Sequence, residues 1–211
     1  MIQAFIFDLD GTLLDSMHEW DNIGYEYLQS KGVQPIPATL RETLKPLSMT
    51  QTAQLFIDEY GIPLQPQQIC DEINRLVENM YRHTVQLKEG VREFLTAHRD
   101  MPMAIATATD RYLVEAALHR LGIGGYFRFI LTSTEVGSSK QNPDIFLRAA
   151  QRLGVAVGEA LVFEDALHAI RTAKRAGFPT VGIQEACFEQ DAQDIRRYAD
   201  QFVRTLNEVI L

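Results

Sequence analysis

Apolar positions along the chain keep two rhythms, and the change between them divides it. Between residues 15 and 83 they recur at helical spacing: Trp20, Ile23, Tyr27 and Leu28, then Ala53, Phe56, Ile57 and Tyr60, then Ile69, Ile73, Leu76, Val77 and Met80. Residues three and four apart share one helix face, so each set predicts an amphipathic helix. Gly32 and Gly61 follow the first two sets as stops. Five of the eight prolines (Pro35, Pro37, Pro46, Pro63 and Pro66) punctuate the intervals. A helical unit with its own apolar interior is expected over 15–83.

Elsewhere, short apolar runs alternate with helical patterns. The runs are Ala4 to Phe7, 103–106, 129–131, 160–163 and 180–183. Between them lie Leu113, Val114, Ala117, Leu118 and Leu121, closed by Gly122; Ile145, Phe146, Ala149, Ala150 and Leu153; and Leu167, Ile170 and Ala173, ending at Gly177. Alternating strand and helix is the pattern of a parallel sheet flanked by helices. The expected fold is α/β: a Rossmann-like parallel-sheet core over residues 1–14 and 84–211, with a helical subdomain, 15–83, inserted into it.

Composition narrows the classes of function. The chain has 211 residues, 46% of them hydrophobic, and a net charge of −8. That length suits one large domain or a domain with an insertion. There is no long basic run, so nucleic acid is not an expected partner, and the acidic balance disfavours an anionic membrane surface. No stretch approaches the roughly 18 apolar residues of a membrane span. The opening apolar run ends in Asp8, so it does not read as a leader. The two cysteines, Cys70 and Cys187, lie far apart and suggest neither a disulfide framework nor metal-ligand spacing. A reducing cytoplasm is the expected setting.

Ligands of such sheets gather beyond the carboxyl ends of the strands, so the residues just after each run are the most informative. The first run ends in Asp8 and Asp10, before Gly11 and Thr12 break the strand. The run 103–106 ends in Thr107, and 160–163 ends in Glu164 and Asp165. Lys140 precedes the helix opened by Pro143. Each has a bland reading: a solvated turn for Asp-Leu-Asp-Gly, a helix cap for Asp165, a turn residue for Thr107, a surface charge for Lys140. Together they place four acids, a hydroxyl and an ammonium at one sheet edge. Burying carboxylates there is costly without compensation, and a hard divalent cation is the natural counter-charge. Phosphoryl transfer fits such a set. A carboxylate attacks phosphorus, a cation screens the repulsion, the Lys and hydroxyl hold phosphate oxygens, and a second acid, Asp10, protonates the leaving alcohol. Asp10 should then point away from the metal.

These residues resemble the haloacid dehalogenase superfamily, in its branch with a helical cap inserted after the first strand. Asp-Leu-Asp-Gly-Thr-Leu-Leu-Asp-Ser, beginning at Asp8, is similar to that family's first motif, and Ile-Ala-Thr107 to the second. Lys140 followed by Pro-Asp-Ile-Phe is similar to the third, and Val-Phe-Glu164-Asp165-Ala, with Ala173 and Gly177 downstream, to the fourth. The resemblance spans essentially the whole chain. It implies that Asp8 is the nucleophile and Asp10 the general acid/base, the latter also offering its backbone carbonyl to Mg²⁺. It further implies that Thr107, Ala108 and Lys140 bind the phosphoryl group, and that Glu164 and Asp165 complete the metal site. True haloacid dehalogenases lack the second Asp, so Asp10 argues against dehalogenation. The phosphoglucomutase members carry His where this chain has Trp20, and Gly and Arg within the segment that resembles Lys45 to Thr50. The expected function is therefore a Mg²⁺-dependent phosphatase of a small phosphorylated metabolite; a phosphomutase, or a non-enzymatic regulatory member of the fold, is the alternative. Specificity is expected from the cap, where Trp20, Lys45, Arg82 and His83 are the substrate-contact candidates, set against surface or packing roles.

Overall fold

In a computed structural model of the protein, residues 1–185 and 191–211 are described; Cys187 lies outside them. Six parallel strands form one sheet in the order β3-β2-β1-β4-β5-β6. They are β1 (Ala4–Phe7), β2 (Met103–Thr107), β3 (Phe129–Thr132), β4 (Ala160–Glu164), β5 (Thr180–Ile183) and β6 (Gln201–Val203). The first five match the apolar runs, extended by a residue at the carboxyl ends of β2, β3 and β4.

β1 is central, which explains its composition. Every one of its residues is buried, because helices cover both faces. Side chains alternate between those faces. Phe5 and Phe7 join one apolar cluster with Phe94, Leu113 and Phe163, while Ala4 and Ile6 join another with Ile145, Phe146 and Phe178. Phe7 and Phe163 stack with ring centroids 4.3 Å apart, tying β1 to β4 beside the site. Fully burying such a side chain contributes about 1.5–3 kcal/mol, so this strand is rigidly held.

Helices α1 (Met17–Ser30), α2 (Leu40–Leu44), α3 (Met49–Tyr60) and α4 (Pro66–Asn79) follow β1, and α4 runs into a π-helical turn over Met80–Thr84. They share a third cluster, built on Tyr27, Leu28, Phe56, Ile69 and Ile73. Ser48 and Gln51 form a capping box at the start of α3, and Gly61 closes it with a left-handed φ of 64°. Val77, Met80 and Tyr81 instead pack into the sheet-side cluster, so the last turns of this segment belong to both layers. Leu76 departs from its expected face: it is 51% exposed, lying off the stripe made by Ile69, Ile73 and Val77.

The two crossings into this helical segment lie side by side. Leu14 and Leu87 form an antiparallel bridge, and Asp15 N–H donates to the carbonyl of Gln86 at 3.0 Å. The remaining helices are α5 (Val91–Ala97), α6 (Arg111–Leu121), α7 (Ser133–Val136), α8 (Asp144–Leu153), α9 (Leu167–Arg175) and α10 (Ala192–Tyr198). Among the described residues, no helix is long and apolar enough to cross a membrane.

Candidate active site

Beyond the carboxyl ends of β1, β2 and β4 lies a cavity of about 410 Å³, roofed by α1, α2 and the start of α3. Nine of the eleven residues singled out as site candidates line it: Asp8, Asp10, Trp20, Lys45, Thr107, Ala108, Lys140, Glu164 and Asp165. Arg82 and His83 do not. Both are exposed, and Arg82 pairs with Glu78 one turn earlier at 2.5 Å.

The loop after β1 folds back on itself, with the N–H groups of Leu13 and Leu14 both donating to the carbonyl of Leu9. This fold needs Gly11, whose φ is +81°. It also needs the missing side chain, because a Cβ there would lie 2.3 Å from Asp165 Oδ2. Thr12 Oγ1 donates to Asp165 Oδ1 at 3.0 Å, so the first motif holds the last one in place.

Asp8, Glu164 and Asp165 are buried, and each offers a carboxylate oxygen within 4.8 Å of the others. Lys140 donates to Asp8 and, at 2.6 Å, to Glu164 Oε1. Three acids and one ammonium leave an excess of negative charge in a dry place. Burial above all pushes Asp8 up to about 7, against the opposing pull of Lys140. Burial, then the charges of Glu164 and Asp8, drives Asp165 well above the usual carboxylate range. Burial works to discharge Lys140, but Asp8 and Glu164 together outweigh it and keep the ammonium charged. The donor set is all oxygen and lacks positive charge, which suits a hard divalent cation. Glu164 Oε2 also accepts from Ala166 N–H at 3.0 Å, just before α9, and no side chain, that of Asp165 included, caps this helix.

Asp10 is not among the three acids of that cluster. Its Oδ1 accepts from Ser16 Oγ and Tyr81 OH, each at 2.6 Å, and its Oδ2 accepts from Thr109 Oγ1 at 2.6 Å. Thr107 is buried, and its Oγ1 accepts from Thr109 N–H at 3.1 Å, tightening the turn that exposes Ala108. Sequence reasoning missed Ser16, Tyr81 and Thr109. Ser16 closes the first motif as quoted and Thr109 follows Thr107 closely, but nothing in the pattern marks Tyr81. It also missed His168, on the first turn of α9, whose imidazole lines the cavity and is held below the usual histidine range by burial.

The two cap candidates turn inward but are engaged. Trp20 Nε1 donates to Tyr81 OH at 2.7 Å. Lys45 forms an ion pair with Asp191, joining α2 to the segment before α10. Beside it, Gln141 Nε2 donates to the carbonyl of Pro46 at 3.2 Å.

A family model described as haloacid dehalogenase-like hydrolase matches residues 2–177. The chain is 32% identical over 182 residues to the fructose-1-phosphate phosphatase YqaB of Escherichia coli, covering 86% of this chain and 96% of that one. It is 28% identical over 211 residues to the validoxylamine A 7'-phosphate phosphatase of Streptomyces hygroscopicus subsp. limoneus, covering 99% and 96%. Among solved structures, CbbY from Rhodobacter sphaeroides in complex with phosphate superposes with a TM-score of 0.84 over 99% of this chain and 96% of that one, at 23% identity, a likeness of fold. The chain belongs to the haloacid dehalogenase-like hydrolases and is, like its named relatives, a phosphoric monoester hydrolase.

Proposed function

We propose that this enzyme is a Mg²⁺-dependent phosphatase of a small phosphorylated metabolite, of the sugar or polyol phosphate kind, working through a phosphoryl group carried on Asp8. One observation carries the reading. The charged cluster of Asp8, Glu164, Asp165 and Lys140 and the separately held carboxylate of Asp10 face the same cavity. The names of relatives acting on fructose 1-phosphate and validoxylamine A 7'-phosphate support the substrate class.

Asp8, Asp165 and Glu164, with the backbone carbonyl of Asp10, would hold the metal. Bound there, it would neutralise the acids and screen the phosphate from the attacking carboxylate. Asp8 Oδ attacks phosphorus while the bond to the leaving oxygen breaks. Lys140 and Thr107, with the backbone at Ala108, hold the other phosphate oxygens. Asp10 gives its proton to the departing alkoxide. It then accepts a proton from water as that water attacks phosphorus, which frees inorganic phosphate and restores the Asp8 carboxylate. The helices over the sheet edge would exclude bulk water during these steps. We take residues 15–83 as the cap, the paired crossings near Leu14 and Leu87 as its hinge, and the cytoplasm as its setting.

Trp20 bears on the mutase alternative. It occupies the place where phosphoglucomutase members carry His, and its N–H is committed to Tyr81, which favours water as the final acceptor. The test is phosphate release from a panel of sugar and polyol monophosphates, with EDTA and then excess Mg²⁺. Release that EDTA silences and Mg²⁺ restores is expected. Undiminished release after rigorous metal removal, or labelled phosphate retained on the sugar, contradicts the proposal.

A further inference from the structure

We infer that the Tyr81 hydroxyl, itself oriented by the indole of Trp20, is a positioning residue for Asp10, tying the acid/base group to the closed state of the helical layer. This rests on the function proposed above. Tyr81 is wholly buried, yet its oxygen is fully engaged: it accepts from Trp20 Nε1 at 2.7 Å and donates to Asp10 Oδ1 at 2.6 Å. Thr109 Oγ1 lies 3.4 Å from the same oxygen. A phenol that accepts from one donor becomes a better donor itself, so the chain from indole to phenol to carboxylate is cooperative.

The origins of these groups matter more than their number. Trp20 sits on α1, just past the first crossing. Tyr81 sits in the π-helical turn just before the second. Ser16, the other donor to Asp10 Oδ1, directly precedes α1. Thr109 reaches Asp10 from the sheet edge. Trp20 and Ser16 thus stand on the helical segment or its hinge, whereas Tyr81 and Thr109 are held from the sheet side. π-Helical turns are rare and concentrate at functional sites, because one extra residue in the turn re-aims the side chains within it. This turn is pinned from the sheet side: Arg120 of α6 donates through Nε to the carbonyl of Tyr81 at 3.3 Å and through Nη2 to that of Val85. The Tyr81 ring is thereby fixed while its hydroxyl bridges to α1. Opening the helical layer would withdraw Trp20 from Tyr81 and loosen the grip on Asp10. Proton transfer is then competent only when the cavity is closed and dry.

The test uses Tyr81→Phe, which keeps the ring and removes the hydroxyl. Single-turnover alcohol release would be measured for an alkyl or sugar phosphate and for p-nitrophenyl phosphate, with Mg²⁺. Mispositioning Asp10 slows departure of a poor leaving group by about tenfold or more, within the range that general acids contribute. p-Nitrophenolate leaves without proton help and should lose less than about threefold, with KM little changed. Trp20→Phe, which removes the indole N–H given to Tyr81, should show the same leaving-group selectivity in weaker form. In the Tyr81→Phe background it should add nothing further. Equal losses for both leaving groups in either variant, a rise in KM alone, or unchanged kinetics overturns the assignment. If Tyr81→Phe fails to fold, Trp20→Phe decides by the same comparison. Failure of the wild-type enzyme to release phosphate from any ester would instead overturn the underlying function.

Discussion

Lys140 and Glu164 meet inside the protein, Nζ to Oε1 at 2.6 Å, with the two side chains 6% and 1% exposed. The same ammonium reaches Asp8. Lys140 is thus the immediate counter-charge of a three-carboxylate cluster and, in the function proposed above, a phosphate ligand, and the two tasks make different predictions.

Removing one partner of a buried ion pair costs about 3–5 kcal/mol, because the other charge is left without compensation. Lys140→Met at pH 8 in EDTA should therefore melt well below the wild type. At about 2–4 °C per kcal/mol for a chain of this size, the drop is about 6–20 °C. Mg²⁺ should recover part of the stability but none of the activity, and the loss should be equal across substrates. An unchanged melting temperature in EDTA would show that Lys140 is not the counter-charge.

The acid cluster also predicts how the metal-free protein responds to pH. Burial lifts the folded-state pKa of Asp8 to about 7, above its ordinary 3.8, and Asp165 shifts in the same direction. The stability such groups contribute is complete below the unfolded value and is lost as pH rises through the folded one. In EDTA the protein should melt lower at pH 8 than at pH 5.5, by at least about 1 kcal/mol or 2–4 °C. Mg²⁺ should abolish or reverse the slope, since it binds the ionised carboxylates. A metal-free melting temperature that rises from pH 5.5 to 8 would contradict the charge imbalance described here.

Gly11→Ala tests the close approach of two motifs. The new methyl would fall 2.3 Å from Asp165 Oδ2, at a backbone φ of +81°. Asp165 must move, and Thr12 loses its acceptor. Half-saturation by Mg²⁺ should rise about tenfold or more, the usual effect of disturbing the support of a metal ligand. A variant with wild-type Mg²⁺ dependence would remove Asp165 from the metal site.

Lys45 is a substrate-contact candidate by sequence, and its ion pair with Asp191 suggests a different experiment. Lys45→Ala and Asp191→Ala should each raise KM several-fold for every substrate, by loosening the joint between α2 and the sheet layer. The charge swap Lys45→Asp with Asp191→Lys should restore it. A changed ranking of substrates in Lys45→Ala alone, with Asp191→Ala silent, would place Lys45 on the substrate instead.

What was legible in the sequence follows the strength of local signals. β1 to β5 announce themselves as apolar runs because both faces of the sheet are covered. β6 does not: Gln201 and Phe202 are only half-buried, and three residues at a sheet edge carry no pattern. α2 is five residues long among prolines, too short for periodicity to show. The residues at strand ends were found because topology alone brings them to one edge. The grip on Asp10 was not, because Tyr81 lies 71 positions away and its direction is set by a π-helical turn that no spacing rule anticipates. Trp20 lines the cavity, but its polar atom serves Tyr81.

The central claim is that Asp8 carries the phosphoryl group. The most direct measurement is phosphate release by purified wild type and Asp8→Asn in Mg²⁺, with the variant first shown to melt cooperatively. Turnover of a sugar or polyol monophosphate by the wild type, and its loss by about a thousandfold or more in Asp8→Asn, is the expected result. A folded Asp8→Asn variant that retains substantial turnover would contradict it.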